Sequence, residues 1–292
     1  MRLAVILASS GRAMELSNWS ETFKLQSIQP SKVLYSVVSP DDLPEENLIY
    51  PCSTILYGDP GLPKQRNRGL DFLSDSYDLI AFFDDDYVAC SDAFANIMEF
   101  FKQNPEVVGI NGVLLADGIN TAGISYSTAT QIIKAFESQK IDQPLTVSNL
   151  SGLYGCNMVY RASAIRDLRF DENLPLYGWQ EDVDFASRVS KHGRIVGTNA
   201  FAGVHQGVKL GRSSGVKLGY SQISNPLYLA RKGSITKNYA LRLIVKNVLS
   251  NHLKYFLAEP WIDRKGRAAG NWIAICDVVL GRSHPNRILD LN

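Results

Sequence analysis

The first half of the chain alternates short apolar runs with longer stretches whose apolar residues recur at helical spacing. Strands are expected at 3–8, 33–38, 53–57, 79–83 and 107–111. Helices are expected at 17–28, 63–73 and 92–103. This alternation favours an α/β fold with a mostly parallel central sheet flanked by helices. Ligands of such sheets bind at the carboxyl ends of the strands, so the residues that follow each strand are the first candidates for a site.

The second half of the chain has weaker periodicity. We expect a loop and then a helix at 118–139, a strand at 153–160 and a helix at 181–191. The pentapeptide GVKLG occurs at 207–211 and again at 215–219, and its glycines and lysines predict a mobile basic loop. Beyond these segments, we expect residues 226–292 to form a small helical extension.

A longer helix is expected at 237–257, inside that extension. Its apolar side is formed by Leu241, Val245, Val248, Leu249 and Phe256, and its basic side by Arg242, Lys246 and Lys254. A basic amphipathic helix of this kind either packs its apolar stripe on the domain or lies on a membrane surface.

The charges are unevenly distributed. The formal net charge is only +1, but residues 185–258 contain twelve Lys and Arg and no Asp or Glu. Such a segment attracts an anionic partner, such as a diphosphate or a phospholipid, or it forms a solvated basic face. We expect no nucleic-acid partner, because aromatic residues do not alternate with the basic ones as they do in nucleic-acid binding motifs.

Length and composition are those of a globular protein. The 292 residues are 45% hydrophobic and 20% charged, enough for one large domain or one domain with an extension. No run of 18 apolar residues predicts a membrane span, and the first residues do not resemble a signal peptide. The four cysteines (Cys52, Cys90, Cys156 and Cys276) have no metal-site spacing, so we expect reduced thiols in the cytoplasm.

Three aspartates follow the apolar run 79–83. Asp84, Asp85 and Asp86 repel one another and resist desolvation, so placing them at a strand end gives the fold no stability. A divalent cation removes this conflict, and hard oxygen ligands suit Mg²⁺ or Mn²⁺. The sequence therefore predicts a metal site, with an acidic surface turn as the alternative.

A second acidic cluster, at 177–184, opens the helix expected at 181–191. Acidic residues are favoured in a first helical turn by the helix dipole, which by itself explains Glu181 or Asp184. The preceding Gly178 and Trp179 predict a bend with an exposed aromatic platform. A carboxylate held at a helix start is also available as a general base.

Five segments together resemble glycosyltransferase family 2. The three aspartates are similar to the DxD element of the GT-A fold, and 61–70 (GLPKQRNRGL) is similar to the family's basic helix start. The segments 152–161 (GLYGCNMVYR), 169–172 (RFDE) and 179–185 (WQEDVDF) are similar to its acceptor-side signature. The order and spacing match over about 3–205.

The resemblance implies a role for individual residues. It assigns Asp182 as the catalytic base, Asp86 and His205 as metal ligands, and Trp179 and Glu181 as acceptor contacts. His205 is alternatively a diphosphate contact, and either Asp41 or Asp42 would contact the base. The nucleotide contacts it implies are Ser9, Ser10, Arg12, Asp41, Lys64, Arg66, Asp84 and Asp85.

The same resemblance implies an activity. We expect a metal-dependent, inverting transferase that moves a hexose from a nucleotide-diphosphate sugar, UDP-sugar first, to a hydroxyl of a glycan or lipid-linked acceptor. The implied setting is bacterial polysaccharide synthesis in the cytoplasm, with peripheral contact at the inner face of the membrane left open. No Gln-x-x-Arg-Trp element occurs, so we expect single additions rather than processive synthesis.

The domain division follows the same family pattern. Residues 1–225 would be the catalytic domain, with a nucleotide-binding half at about 1–105 and an acceptor half at 106–225. The loop at 209–217 would close over bound donor and exclude water.

Two other function classes stay open at this point. Residues 4–12 (AVILASSGR) superficially resemble the opening motif of sugar-phosphate nucleotidyltransferases, which would release pyrophosphate. A non-catalytic glycan- or nucleotide-binding module on a degenerate enzyme fold is the other alternative.

Overall fold

The computed structural model describes residues 1–73, 76–139, 144–211 and 214–291. Within these ranges the chain forms one nine-stranded sheet. The strands are β1 (Leu3–Ala8), β2 (Lys32–Val37), β3 (Ser53–Tyr57), β4 (Leu79–Asp84), β5 (Tyr87–Ala89), β6 (Val107–Asp117), β7 (Val147–Asn149), β8 (Asn157–Arg161) and β9 (Arg194–His205).

Helices cover the sheet and continue beyond it. They are α1 (Ala13–Ser17), α2 (Trp19–Leu25), α3 (Leu62–Phe72), α4 (Ala93–Gln103), α5 (Tyr126–Ser138), α6 (Ala162–Ile165), α7 (Glu181–Val189), α8 (Gly215–Lys232), α9 (Lys237–Leu253) and α10 (Arg264–Val279). Single 3-10 turns lie at Pro40–Asp42, Glu46–Leu48, Gly118–Asn120 and Pro285–Asp290.

The strand order is β3-β2-β1-β4-β8-β6-β9-β5, and β7 pairs with β9. β3, β2, β1 and β4 are parallel neighbours, and β6 is parallel to β9. β8 enters antiparallel between β4 and β6. The expected GT-A (Rossmann-like) α/β fold is confirmed, and its continuous parallel part is the amino-terminal half.

Both faces of the central strands are buried, and alternate residues of each strand point to opposite sides of the sheet. In β1, Leu3, Val5 and Leu7 belong to a core cluster that includes Trp19 of α2 and residues of α4. Ile6 belongs to a different cluster, with residues from α3 and α7. The apolar runs that predicted the strands are therefore continuous because both faces of the strands are covered.

Several local predictions differ from the structure. The helix expected at 17–28 is two short helices, α1 and α2, and the strand expected from residue 153 begins at Asn157. The mobile loop expected at 215–219 is wrong, because Gly215 starts α8 and the Ser214 side chain caps its first turn. Residues 212–213, part of the closing loop predicted at 209–217, lie outside the described residues.

The carboxyl-terminal helices form their own cluster. α8 packs closely against α10, and Tyr220, Ile223 and Ala274 share a small core with residues from α9. The boundary proposed between 225 and 226 falls inside α8, next to Pro226. None of the helices in the described ranges has the length and hydropathy to cross a bilayer.

Candidate metal and transfer site

The ends of four strands bring polar side chains to one edge of the sheet. Ala8 at the end of β1 pairs with Asp84 at the end of β4. His205 ends β9, where it lies opposite both Tyr87 of β5 and Asp117 of β6. This topology places Asp84, Asp117 and His205 together although they are far apart in the chain.

Asp84, Asp86 and His205 form a compact group of potential metal ligands. One ligand atom from each lies within 4.8 Å of the others. The Nε2 atom of His205 is 3.4 Å from Asp86 Oδ1 and 4.0 Å from Asp84 Oδ2. Asp86 Oδ1 is buried and accepts no hydrogen bond from the described part of the chain. Such an atom is costly unless a cation or a proton donor faces it.

Asp117 orients the imidazole of His205. Its Oδ1 lies 2.8 Å from His205 Nδ1, and the Tyr154 hydroxyl is 3.4 Å from the same nitrogen. In the neutral form of the ring, a proton on Nδ1 that bonds to Asp117 leaves the lone pair of Nε2 facing Asp84 and Asp86. This carboxylate–histidine arrangement is the one that supports metal-binding imidazoles in proteins. Sequence reasoning missed Asp117, because the strand expected at 107–111 ended before it, whereas β6 extends to Asp117.

The charges in this group are strongly coupled. Burial opposes a charged imidazole, but the hydrogen bond with Asp117 and the nearby charge of Asp86 outweigh it and raise the pKa of His205 to about 10. Burial likewise opposes ionisation of Asp86, but His205 and Arg12 hold its pKa below the usual range. The carboxylates thus attract positive charge, which a protonated His205 supplies here.

The donor set fits a divalent cation. Two carboxylates offer hard oxygen ligands, and one imidazole adds a nitrogen. Magnesium is bound mostly by oxygen, whereas manganese accepts carboxylate and imidazole together. The orphaned Asp86 Oδ1 and the imidazole held by Asp117 support this fit. Asp84, predicted as a nucleotide contact, lies with the two predicted metal ligands.

Asp85 belongs to a neighbouring network with Ser9 and Arg12. Ser9 Oγ donates to Asp85 Oδ2 at 2.7 Å, and Arg12 Nη1 donates to Asp85 Oδ1 at 3.0 Å. Burial, partly offset by Arg12, raises the pKa of Asp85 to about 7, and the adjacent Asp86 adds to the shift. Three of the predicted nucleotide contacts are therefore joined directly.

The segment that follows β9 lies across this network. Val208 N donates to Asp86 Oδ2 at 2.8 Å, and Arg12 donates to the carbonyls of Val208 and Leu210 at 3.3 and 2.8 Å. Lys209 Nζ donates to the carbonyls of Gly118 and Ile119, each at 2.9 Å. The described part of the predicted closing loop thus contacts Arg12 and the turn at Gly118–Asn120, and Val208 just before it contacts Asp86.

Arg66 connects the aspartates to the second acidic cluster. Its guanidinium is only 2% exposed and donates to Asp84 Oδ1 at 3.0 Å and to the Gly155 carbonyl at 2.9 Å. It also forms a short ion pair with Glu181. Burial raises the pKa of Glu181 to about 8, although Arg66 acts in the opposite direction.

Asp182 is held in a fixed orientation at the start of α7. Its Oδ2 accepts from Gly155 N and its Oδ1 from Val183 N, each at 2.8 Å. The preceding Gln180 adopts a left-handed conformation with φ of 74°, which turns the chain into the helix. Burial raises the pKa of Asp182, and Arg66 limits the shift.

A cavity of about 660 Å³ joins these groups. Asp84, Asp86 and His205 lie on its wall together with Asp182. The aromatic residues Tyr154, Tyr177, Trp179 and Tyr239 also line it. The half-buried Trp179 is less open than the exposed platform expected from the sequence, but it does face the cavity.

The remaining predicted site residues lie outside the cavity wall. Ser10 and Asp41 are exposed. Lys64 pairs with Asp59 at 3.1 Å, with both side chains exposed. Asp42 is buried instead and accepts from Gly11 N at 2.5 Å and from Ser39 N at 2.9 Å. Asp42 therefore stabilises the loop after β1. The sequence alone did not show which of the two aspartates, Asp41 or Asp42, has which role.

Comparison with known proteins gives fold-level similarity. No protein-family model and no curated protein matches the chain. One crystal structure of S. aureus TarS is 12% identical with a TM-score of 0.51, and the match covers 88% of this chain but only 44% of that one. The structure of TarS 1-349 is 12% identical with a TM-score of 0.54, covering 99% of this chain and 82% of that one. The chain thus shares the GT-A-like α/β fold of TarS.

Proposed function

We propose that this protein is a metal-dependent, inverting glycosyltransferase. It moves a hexose from a nucleotide-diphosphate sugar to a hydroxyl of a glycan or lipid-linked acceptor, one sugar at a time. A UDP-sugar is the first candidate donor. Bacterial polysaccharide synthesis in the cytoplasm is the setting we propose. The catalytic domain would comprise residues 1–225, with a nucleotide-binding half at about 1–105 and an acceptor half at 106–225. Residues 226–292 would form the helical extension.

One observation carries this proposal. A metal-competent group, Asp84, Asp86 and His205, lies on the wall of the same cavity as Asp182, a carboxylate oriented by two backbone amides. Sugar transfer needs both parts: positive charge for the departing diphosphate and a base for the attacking hydroxyl. The shared fold with TarS supports a GT-A scaffold but carries no argument about substrates.

The reaction exchanges one bond at the anomeric carbon for another. A divalent cation held by Asp84, Asp86 and His205 would neutralise the charge that develops on the diphosphate as its bond to the sugar breaks. Asp182 accepts the proton of the acceptor hydroxyl while that oxygen forms the new bond on the opposite face. Direct displacement from the opposite face inverts the configuration.

Other residues of the cavity would orient Asp84 and bind the acceptor. Arg66 holds Asp84 in place through one ion pair and binds Glu181, a proposed acceptor contact, through another. Trp179 offers an apolar surface to a sugar ring, as Tyr177 does beside it. Glu181 Oε2 has no hydrogen-bond partner among the described residues and can accept a bond from an acceptor hydroxyl.

The products distinguish the candidate activities. Purified protein is incubated with a set of nucleotide sugars, glycan acceptors and Mn²⁺ or Mg²⁺, and the products are separated. We expect a nucleoside diphosphate and a glycosylated acceptor, with no product after chelation of the metal. Pyrophosphate formed from a nucleoside triphosphate and a sugar phosphate would instead identify a nucleotidyltransferase, and binding without turnover a non-catalytic module.

Replacing the proposed base tests its role. Asp182→Asn keeps the shape of the side chain but cannot take up the proton, so transfer should fall at least about a hundredfold. Donor binding, measured by calorimetry, should change little. Asp167→Asn, on an exposed carboxyl, is the matched control and should transfer at the normal rate. Normal transfer by Asp182→Asn would remove this residue from the mechanism.

A further inference from the structure

Helix α9 carries apolar residues on two faces. On its inner face, Ile244 and Val248 pack against the small core around Tyr220. On its outer face, apolar residues recur every fourth position and are exposed; they are Leu241, Val245, Leu249 and Leu253. The sequence pattern did not distinguish these two faces, because it placed Val248 and Leu249 on the same apolar side of the helix.

The exposed apolar surface continues past the end of the helix. Phe256 and Leu257 are 89% and 86% exposed. Trp272 of α10 is 59% exposed, and its ring lies 5.9 Å from that of His252 on α9. Together with the outer face, these residues form a patch that we call the α9 face: Leu241, Val245, Leu249, Leu253, Phe256, Leu257 and Trp272, bordered by Arg242 and Lys246. Continuous exposed patches of this kind mark interaction sites.

The charge around the patch indicates what covers it. Lys237, Arg242 and Lys246 are exposed and form no ion pair with a carboxylate in the described ranges, unlike Lys254, which pairs with Glu259. No Asp or Glu occurs from 185 to 258. A second copy of the chain would bring like charges together, whereas an anionic lipid surface complements them.

We propose that the α9 face docks on an anionic membrane surface. Its apolar side chains enter the boundary between headgroups and acyl chains, with Trp272 at the headgroup level and the basic residues against lipid phosphates. The helix then lies parallel to the bilayer.

The position of α9 connects this surface to the cavity. Ile235, Thr236 and Tyr239, at the start of α9, line the cavity that holds the metal group and Asp182. The α9 face begins at Leu241, so a docked protein would present the cavity mouth beside the membrane. Given the proposed function, this placement favours a lipid-linked acceptor, delivered from the bilayer, over a free glycan.

Vesicle flotation tests the docking directly. The full chain is mixed with vesicles of phosphatidylcholine alone or of phosphatidylcholine with phosphatidylglycerol, without donor or metal. We expect flotation with the phosphatidylglycerol vesicles that weakens as salt is raised. Because no turnover is measured, loss of flotation leaves the transferase proposal standing, and an inactive protein that floats leaves the docking standing.

Two double variants separate the apolar and the basic contributions. Val245→Glu with Leu249→Glu should reduce partitioning at least about tenfold. Arg242→Gln with Lys246→Gln should reduce it about thirtyfold, from about fivefold per charge near the surface. The controls are Leu25→Glu, an exposed apolar position on α2, and Lys102→Gln with Lys134→Gln; both should float normally.

Three outcomes would overturn the proposal. One is equal flotation with both kinds of vesicle, and another is normal flotation of both double variants with unchanged thermal melting. The third is a wild-type protein that does not float but dimerises, with a dimer that Val245→Glu and Leu249→Glu dissociate; this would assign the face to a second copy.

Discussion

At the scale of single residues, His205 shows how strongly carboxylates determine the state of this site. Asp117 holds one ring nitrogen while Asp84 and Asp86 face the other, and the pKa of the imidazole rises to about 10. A proton and a metal ion therefore compete for Nε2, because an imidazole must be neutral to bind a metal.

Metal affinity should consequently increase with pH. Between pH 7 and 9 the folded protein holds His205 protonated, so each metal ion that binds releases about one proton and the apparent affinity should rise about tenfold per pH unit. Calorimetry of Mn²⁺ binding in buffers of different ionisation enthalpy measures this release. Asp117→Asn lowers the pKa of His205 and should shift the rise to lower pH. An affinity that does not change with pH would exclude His205 as a ligand.

Arg66 should contribute strongly to stability, because its buried guanidinium bridges two acidic side chains. Arg66→Met would leave the buried carboxyl group of Glu181 and the carboxylate of Asp84 without their shared partner, at a cost of about 3–5 kcal/mol in the free energy of unfolding. Urea unfolding measures the change, and adding Glu181→Gln should recover part of it. Lys64→Met, on the exposed side of the same helix, should cost less than about 1 kcal/mol. Equal costs for Arg66 and Lys64 would refute a structural bridge.

Among the strands and helices, the sequence predicted those that are marked by their own run of apolar residues. β1 and β4 are continuous apolar runs covered on both faces, and their predicted bounds agree with the structure to within one residue. β9 contains glycines and an asparagine that disfavour strands, and it forms through pairing with β5, β6 and β7. Contacts between distant segments override local preference, and periodicity cannot reveal them.

The site residues also differ in whether the local sequence reveals them. Asp84, Asp86 and Asp182 stand out locally, as carboxylates at a strand end and a helix start. Asp117 and Tyr154 were missed because their importance depends on where His205 folds back beside them. Lys64 and Asp41 resembled site residues in the sequence, but their side chains lie away from the cavity.

Helix α8 depends on close contact with α10. A Cβ added at Gly270 would lie 2.1 Å from the Val216 carbonyl, and one at Gly219 2.1 Å from the Arg267 carbonyl. Gly270→Ala should therefore destabilise the fold by about 1–3 kcal/mol, although alanine is the better helix former. Thermal melting measures this, with Ala269→Ser on the exposed side as the control. A more stable Gly270→Ala would contradict the close packing.

At the scale of the whole molecule, one sheet edge and one helix cluster share the cavity. The sheet supplies Asp84, Asp86 and His205, α7 supplies Asp182, and the start of α9 lines the remaining side. Lys232 of α8 connects the helix cluster to the sheet domain through ion pairs with Asp171 and Asp184, whose N–O distances are 2.6 and 2.9 Å. The helices after β9 thus contribute to the cavity wall as well as carrying the α9 face.

We expect the aspartates and His205 to hold a cation that binds the diphosphate of the donor. Thermal melting with nucleoside diphosphates, beginning with UDP, with and without Mn²⁺, measures this binding. At a ligand concentration of about one hundred times Kd, wild type should gain about 2.7 kcal/mol, only with the metal present. Asp59→Asn should behave as wild type, and Asp86→Asn should gain nothing. Stabilisation that needs no metal, or that survives in Asp86→Asn, would contradict the account.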